Sequence, residues 1–234
     1  MRTSEHLRGS TKLRPEPDHF GIVLLMLVVA YVLSVLSSSN LSRVIVGALY
    51  VGALVYAVRA SQPGPGLRQV LRVVIVGGAV AIVGAALFLP HDDASGVIDC
   101  VLVLVLLSAL ICIFDRIITA QDVTGRLIAG ALSAYLMVGM LFASVFGVLA
   151  WLQGSFFANG QQADAESLQY FSFVTLTTLG YGDLVTVSSA GRGLAALEAL
   201  VGQVFLATLI ARLVGSFRRP TPTRRQPPED SDPT

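Results

Sequence analysis

The pattern of apolar and polar positions divides the chain into long apolar stretches separated by short polar segments. An apolar helix needs about 20 residues, within a range of about 17–25, to cross the hydrocarbon core of a bilayer. Six stretches approach or reach this length, and they predict an all-α membrane protein with six transmembrane helices. The stretches are residues 20–36, 41–58, 70–89, 97–114, 126–152 and 193–217.

A shorter helical segment, residues 167–176, lies between the fifth and sixth stretches and follows two candidate capping residues, Asp164 and Glu166. It has about ten residues, which is too short to span a bilayer. The segment runs into the sequence FVTLTTLGYGDL at residues 173–184, which is polar and rich in glycine. We therefore expect a re-entrant helix that enters from the outer face and stops partway, after which the chain turns back outward.

This turn needs partners for its backbone, because non-helical backbone at membrane depth is costly unless it is buried in protein or lines a watery cavity. Gly180 and Gly182 alternate with Leu179 and Tyr181, and glycine permits backbone angles that point successive carbonyl groups the same way. The re-entrant helix also aims its partially negative C-terminal end at the membrane centre. Both features favour a bound cation and disfavour an anion.

Composition agrees with a membrane protein, because 54% of the 234 residues are hydrophobic and 13% are charged. An enzyme is not expected, since His6, His19 and His91 lie in polar segments and no nucleophile–base or metal-binding constellation accompanies them. Cys100 and Cys112 would lie about 18 Å apart along one helix, which is too far for a disulfide. The sequence therefore predicts no cofactor and no resident metal.

Charge distribution predicts the orientation of the helices. With both termini on the cytoplasmic side, all of the 16 basic residues except Arg43 and Arg192 fall on that side. The polar residues 1–19 then form a cytoplasmic N-terminus, and the Pro-rich residues 218–234 form a disordered cytoplasmic tail. We expect a multi-pass protein of the plasma (inner) membrane.

The segment TTLGYGD resembles the selectivity filter of potassium channels, whose usual form is T-V-G-Y-G. The resemblance extends over residues 126–217 as an outer helix, a pore helix, a filter and an inner helix, which is similar to the two-helix pore module of that family. It implies a passive channel whose permeating ion is K⁺. By this resemblance the Thr178 hydroxyl lies at the inner end of a row of ion-binding carbonyl groups. Those carbonyl groups belong to Thr178, Leu179, Gly180, Tyr181 and Gly182.

Two positions depart from the pattern of the family. Leu179 stands where Val is commoner, and since this position contributes its carbonyl group, the change should mainly alter packing behind the filter. Val174 stands where some family members carry a Glu that holds the Asp after GYG. Asp183 is therefore expected to lack that partner. We accordingly expect the filter to be less stable during sustained opening.

The resemblance also implies support for the filter from residues before it. Thr177 and Asp183 flank the filter, and Tyr170, Phe171 and Phe173 are expected to form an aromatic collar around it. For Tyr170, an ordinary aromatic residue at the membrane interface is an equally good interpretation.

One chain supplies one filter strand, whereas a closed ring of carbonyl groups needs four. Because the chain has no internal repeat of this segment, we expect a homotetramer with cyclic symmetry in the lipid bilayer. Gly130, Gly139 and Gly147 would permit close packing at the subunit interface, or they are scattered by composition alone. Neither a nucleic-acid partner nor a soluble ligand-binding domain is expected.

The last apolar stretch contains two further candidates. Gly202 matches the hinge glycine of the inner helix in the family, and a simple packing glycine is the alternative. Glu198, one turn earlier, is an ionisable residue within the membrane and therefore a functional candidate. It is expected either to form a hydrogen bond behind the pore helix, which we favour, or to lie in the permeation path.

The four N-terminal helices, within residues 20–116, lack the arginine ladder that strong voltage gating requires. They are expected to serve as a scaffold or as a sensor of another kind. Two further interpretations of the whole chain stay open: a less selective cation channel, and a membrane signalling or structural subunit whose pore-like segment does not conduct.

Overall fold

The computed structural model describes residues 20–36, 40–61, 65–119 and 125–217. The predicted cytoplasmic segments, residues 1–19 and 218–234, lie outside the described residues. Seven helices account for most of the described chain, which confirms the all-α class. They are α1 (Phe20–Leu36), α2 (Asn40–Ser61), α3 (Pro65–Phe88), α4 (His91–Thr119), α5 (Gly125–Gln153), α6 (Ala165–Leu176) and α7 (Ser189–Phe217).

Four of these helices are long and apolar enough to cross a membrane. Their apolar segments are Gln69–Phe88, Asp93–Asp115, Ile128–Gln153 and Ser189–Gly215. The first two predicted spans also form helices, but their apolar parts, Phe20–Leu36 and Val44–Arg59, are shorter. All six predicted apolar stretches therefore form helices. The apolar parts of α1 and α2 are at or just below the lower limit of length for a spanning helix.

Helix α5 connects the N-terminal helices to the C-terminal part of the chain. It packs against α1 and α4 on one side and against α6 and α7 on the other. One continuous apolar core runs through α1, α2, α4 and α5, where Leu27, Leu54, Leu106 and Met137 are fully buried. The N-terminal helices thus form a scaffold that holds α5 and, through it, the re-entrant helix α6.

The three glycines of α5 lie inside the subunit, so their assignment to a subunit interface was wrong. A methyl group on Gly139 would come within 2.8 Å of the Phe173 ring of α6. Gly130 and Gly147 face α1 and α4 in the same way. At Gly139 and Gly147 a small residue is needed, because a methyl group would come within 2.8 Å of Phe173 and would overlap the Asp99 carboxyl group, respectively.

We predict that Gly139→Ala lowers the stability of the folded protein, whereas Gly130→Ala does not. The Phe173 ring next to Gly139 is held by the Tyr31 ring, with ring centroids 4.9 Å apart, and overpacking of this kind costs about 1–3 kcal/mol. At Gly130 the nearest atom of Phe20 is 3.4 Å away, and alanine is the better helix former by about 1 kcal/mol. Thermal unfolding in detergent measures both effects. Equal melting temperatures for the two variants would show that α5 and α6 are not closely packed at Gly139.

Candidate functional site

The re-entrant helix α6 begins with an N-terminal cap. Asp164 has extended backbone angles, and its side chain accepts a hydrogen bond of 2.8 Å from the Ser167 N–H. This bond satisfies one of the N–H groups that a helix leaves free at its start. The helix ends at Leu176, as predicted, and its start at Ala165 lies two residues before the predicted one.

After Leu176 the backbone N–H groups turn back toward the helix. Those of residues 177–180 all donate to carbonyl groups in the last turn of α6, with N···O distances of 2.9–3.2 Å. The Val174 carbonyl accepts two of these bonds, from Leu179 and Gly180. Within the described chain, the carbonyl groups of residues 178–182 accept no hydrogen bond from the backbone. The donors of the turn are therefore satisfied, and its acceptors remain available.

Residues 178–182 form the row of carbonyl groups, and the sign of φ alternates along this row. It is positive at Thr178 (57°), Gly180 (56°) and Gly182 (79°), and negative at Leu179 and Tyr181. Such alternation cancels the winding of a helix and allows successive carbonyl groups to point to one side of the chain. Glycine adopts positive φ without strain, whereas a β-branched residue such as Thr178 rarely does. Strain of this kind is typical of functional backbone.

The row lies on the surface of the subunit. Leu179 and Tyr181 are 55% and 68% exposed in the single chain. Thr177 caps α6, and its hydroxyl donates to the Phe173 carbonyl at 2.7 Å. Thr177 therefore supports the helix end, and the row after it is exposed in the single chain.

Asp183 has a partner other than the glutamate that Val174 replaces. The Tyr170 hydroxyl donates a hydrogen bond of 2.8 Å to the Asp183 carboxylate. Tyr170 lies one helical turn before Val174, so both residues are on the same face of α6 and the longer side chain reaches the carboxylate. The hydrogen bond to Asp183, together with the charge of that carboxylate, raises the pKa of Tyr170 above its usual value. The Asp183 carboxylate thus has a tyrosine partner, where the resemblance implies a glutamate in some family members.

The other two aromatic residues do not form a collar around the row. Phe171 packs into an aromatic cluster with Phe146 of α5 and with Phe156 and Phe157 of the following loop. Phe173 points toward α1 and α5, as described above. Because successive helix positions are rotated by about 100°, one face of α6 directs Tyr170 to the row and the others direct phenylalanines to the scaffold.

A short antiparallel bridge fixes the chain beyond the row. Phe157 pairs with Thr186, and the flanking backbone bonds join Ala158 N–H to Val185 O at 2.8 Å and Val187 N–H to Phe156 O at 2.9 Å. The loop before α6 and the chain after Asp183 are thereby tied together.

Helix α7 packs against the end of α6 through Gly202. A methyl group on Gly202 would overlap the carbonyl oxygen of Leu176, and α7 continues as a helix through this position. A Gly202→Ala substitution would therefore displace the base of the row directly, whether or not the helix bends there. One turn earlier Glu198 is fully buried against α6, away from the exposed row.

Two buried polar residues of α6, Gln169 and Ser172, did not figure in the sequence prediction. Gln169 contacts the Ser34 hydroxyl of α1 and lies beside Tyr50 of α2, while Ser172 contacts the Gly139 carbonyl of α5 and Glu198 of α7. The available signal was their spacing of three residues in an apolar helix at membrane depth, which places both on one face.

If the row lines an ion path, as its resemblance to a potassium-channel filter implies, we predict that Tyr170→Phe makes the conducting state less persistent. The substitution removes the hydroxyl that holds Asp183 and leaves the ring in place. Current recorded from single channels in planar bilayers should decay faster during sustained opening. The double variant Tyr170→Phe/Val174→Glu should restore persistence where the new glutamate is protonated, because its carboxyl group then donates to Asp183 in place of the lost hydroxyl.

The same bond sets a pH dependence. Because the bond to Asp183 raises the pKa of Tyr170, its contribution is complete below the usual tyrosine pKa of about 10 and is lost only as the pH rises through the raised value. Persistence should therefore not change between about pH 6 and pH 9 on account of this bond. Unchanged decay in Tyr170→Phe would show that the bond does not brace the row.

The C-terminal part of the chain is similar to known channels. Residues 135–219 match a family model described as an ion channel. Over 88 residues the chain is 34% identical to the inward rectifier potassium channel Kirbac3.1 of Paramagnetospirillum magnetotacticum, and this match covers 37% of the chain and 28% of that protein. No solved structure matches the chain significantly. The C-terminal part of this chain is therefore similar to known ion-channel domains, and the chain spans little more than a quarter of the length of the potassium channel that it matches.

Proposed function

We propose that this protein is a potassium-selective channel that conducts K⁺ passively through a homotetrameric pore. The observation that carries the proposal is the exposed row at residues 178–182, where φ alternates in sign and the carbonyl groups have no backbone donor. A dehydrated cation is the partner that such a row lacks, because rings of carbonyl oxygens replace the hydration shell of an ion. The Kirbac3.1 relative is itself a potassium channel, which supports K⁺ as the ion.

The electrostatics of α6 agree with a cation. Its C-terminal end carries about half a negative charge, and it terminates directly at Thr177. In the proposed channel, the ring formed by Thr178 lies at the inner end of the row, with hydroxyl as well as carbonyl oxygens. K⁺ would pass outward or inward along its gradient in single file between these rings.

The surface that one chain leaves uncovered supports the proposed oligomer. In α7, 11% of the apolar segment is buried within the chain, compared with 50% in α5. Leu200, Val204 and Ile210 are each about 60% exposed, and α7 is the helix next to the exposed row. Copies arranged around a fourfold axis would cover this surface and complete the ring of carbonyl groups.

We place both termini on the cytoplasmic side of the plasma membrane, in accordance with the distribution of basic residues.

The test is ion flux in liposomes under opposed potassium and sodium gradients, with Gly180→Ala as the disabling variant. We expect a reversal potential at the potassium equilibrium value for the unmodified protein and no potassium-selective flux for Gly180→Ala. No atom lies within 4 Å of a methyl group at Gly180, so the substitution acts through the positive φ, which costs an alanine about 1–2 kcal/mol.

Gly160→Ala is the matched control. Gly160 also has positive φ, 76°, and open surroundings, but it lies in the loop before α6. It imposes the same backbone strain away from the row, so flux should be retained. An intermediate reversal potential would instead indicate a less selective cation channel. No current from intact tetramers would favour a non-conducting subunit, and selective current in Gly180→Ala would refute the assignment of the row.

The oligomeric state is tested by the mass of the purified protein. Four chains of 24.7 kDa correspond to about 99 kDa, to be measured by light scattering with correction for bound detergent or by native mass spectrometry. A monomer or dimer retaining full flux in liposomes would contradict the tetrameric ring.

A further inference from the structure

The apolar segment of α7 contains a single acidic residue, Glu198, and this side chain is withdrawn from every surface of the subunit. Its exposed fraction is 0%, although α7 is the least buried of the spanning helices. Glu198 therefore faces neither the pore axis nor a neighbouring subunit. It points into the contact between α7, α6 and α5 of its own chain.

The hydrogen bonds in this contact determine where the protons lie. Ser172 Oγ is 2.6 Å from the carbonyl oxygen of Gly139 and 2.5 Å from Oε1 of Glu198. A serine hydroxyl has one proton, and a backbone carbonyl can only accept. If Ser172 donates to Gly139, its second short contact requires a proton on the Glu198 carboxyl group. If Glu198 were ionised, the Ser172 hydroxyl would donate its only proton in a hydrogen bond to the carboxylate. The Ser172 and Gly139 oxygen atoms would then lie in contact with no proton between them.

On the described lengths of the helices that pack together here, no basic residue lies at the level of the contact. Helix α7 packs against α5 and α6. The titratable or charged residues on these three helices outside the filter end are Tyr135 and Arg126 on α5, Glu166 and Tyr170 on α6, and Arg192 and Arg212 on α7. Tyr135 is a neutral phenol and therefore supplies no balancing charge. The basic residues are about 9 Å or more from the contact along their helix axes.

Two further observations disfavour a carboxylate. Arg192, the nearest basic residue on α7, donates at 2.7 Å to the Val187 carbonyl at the start of the helix. Oε2 of Glu198 has no hydrogen-bond partner in the described part of the chain. An unpaired charge is far more costly to bury than a neutral polar group, so the neutral acid is the form that this site accommodates.

We propose that Glu198 is held as a neutral carboxylic acid and positions the pore helix by donating a hydrogen bond to Ser172. Ser172 in turn donates to Gly139, so one chain of hydrogen bonds joins α7, α6 and α5. One turn along, Gly202 of α7 packs under Leu176 of α6, which keeps the two helices in register immediately before the row.

Loss of the proton to solvent would end this arrangement. The carboxylate can only accept, so it would compete with Gly139 for the Ser172 proton and loosen α6 at its base. Stability that depends on the protonated acid is present at low pH and is lost as the pH rises through its ionisation. The consequence for conduction rests on the proposed function, whereas the protonation state does not.

Infrared difference spectroscopy of the intact protein in lipid tests the protonation state. We expect the unmodified protein at neutral pH to show the C=O stretch of a protonated carboxyl group, and we expect Glu198→Gln to lack it. Glu166→Gln is the matched control, since Glu166 is an exposed acid at the start of α6, and it should keep the band. Ser172→Ala should shift the band, because the acid loses its acceptor. Absence of a band that depends on Glu198 would overturn the proposal.

Thermal unfolding and flux as a function of pH test the positioning role. The unmodified protein should lose melting temperature and potassium flux at alkaline pH, and Glu198→Gln should not, because its amide donates to Ser172 without ionising. Glu198→Ala should be less stable than Glu198→Gln at every pH. Identical pH profiles for the unmodified protein and Glu198→Gln would overturn the positioning role. Absence of potassium flux at every pH would count against the proposed function alone, since the spectra and melting temperatures do not depend on conduction.

Discussion

The need of backbone N–H groups for acceptors governs the C-terminal part of this protein. Residues 177–180 leave the helical conformation, and their N–H groups find acceptors in the last turn of α6, two of them at the single carbonyl group of Val174. Because the donors are satisfied on the helix side, the carbonyl groups are left on the other side. A row of acceptors without donors is what a dehydrated cation can use.

The row can be no more rigid than α6, and α6 is held by buried contacts on several faces. Gln169 contacts Ser34 of α1, Ser172 contacts α5 and α7, and the carbonyl end of the helix lies on Gly202. The tie to Ser34 gives the N-terminal helices a direct physical connection to the helix that carries the row. Buried polar contacts of this kind specify a single arrangement, since each unsatisfied partner would be costly.

Much of this arrangement could be predicted from the sequence, because local chemistry determines it. The cap at Asp164, the end of α6 at Leu176 and the positive φ of the two glycines follow from residue type and spacing. The partner of Asp183 could not be found by comparing position 174 alone with the family pattern. The hydrogen bond to Asp183 comes instead from Tyr170, one helical turn earlier. The glycines of α5 were assigned to the wrong surface, since a small residue indicates a close approach but not which helix approaches.

The sequence by itself therefore determined the helical class, the re-entrant helix and the row of carbonyl groups, since hydrophobic period, helix length and glycine positions act locally. The tertiary structure decided which side chains meet across helices. It placed Glu198 behind α6 within its own subunit, turned Phe171 and Phe173 toward the scaffold and brought Gly202 against Leu176. These contacts depend on the rotation and separation of packed helices, and a one-dimensional pattern does not contain either quantity.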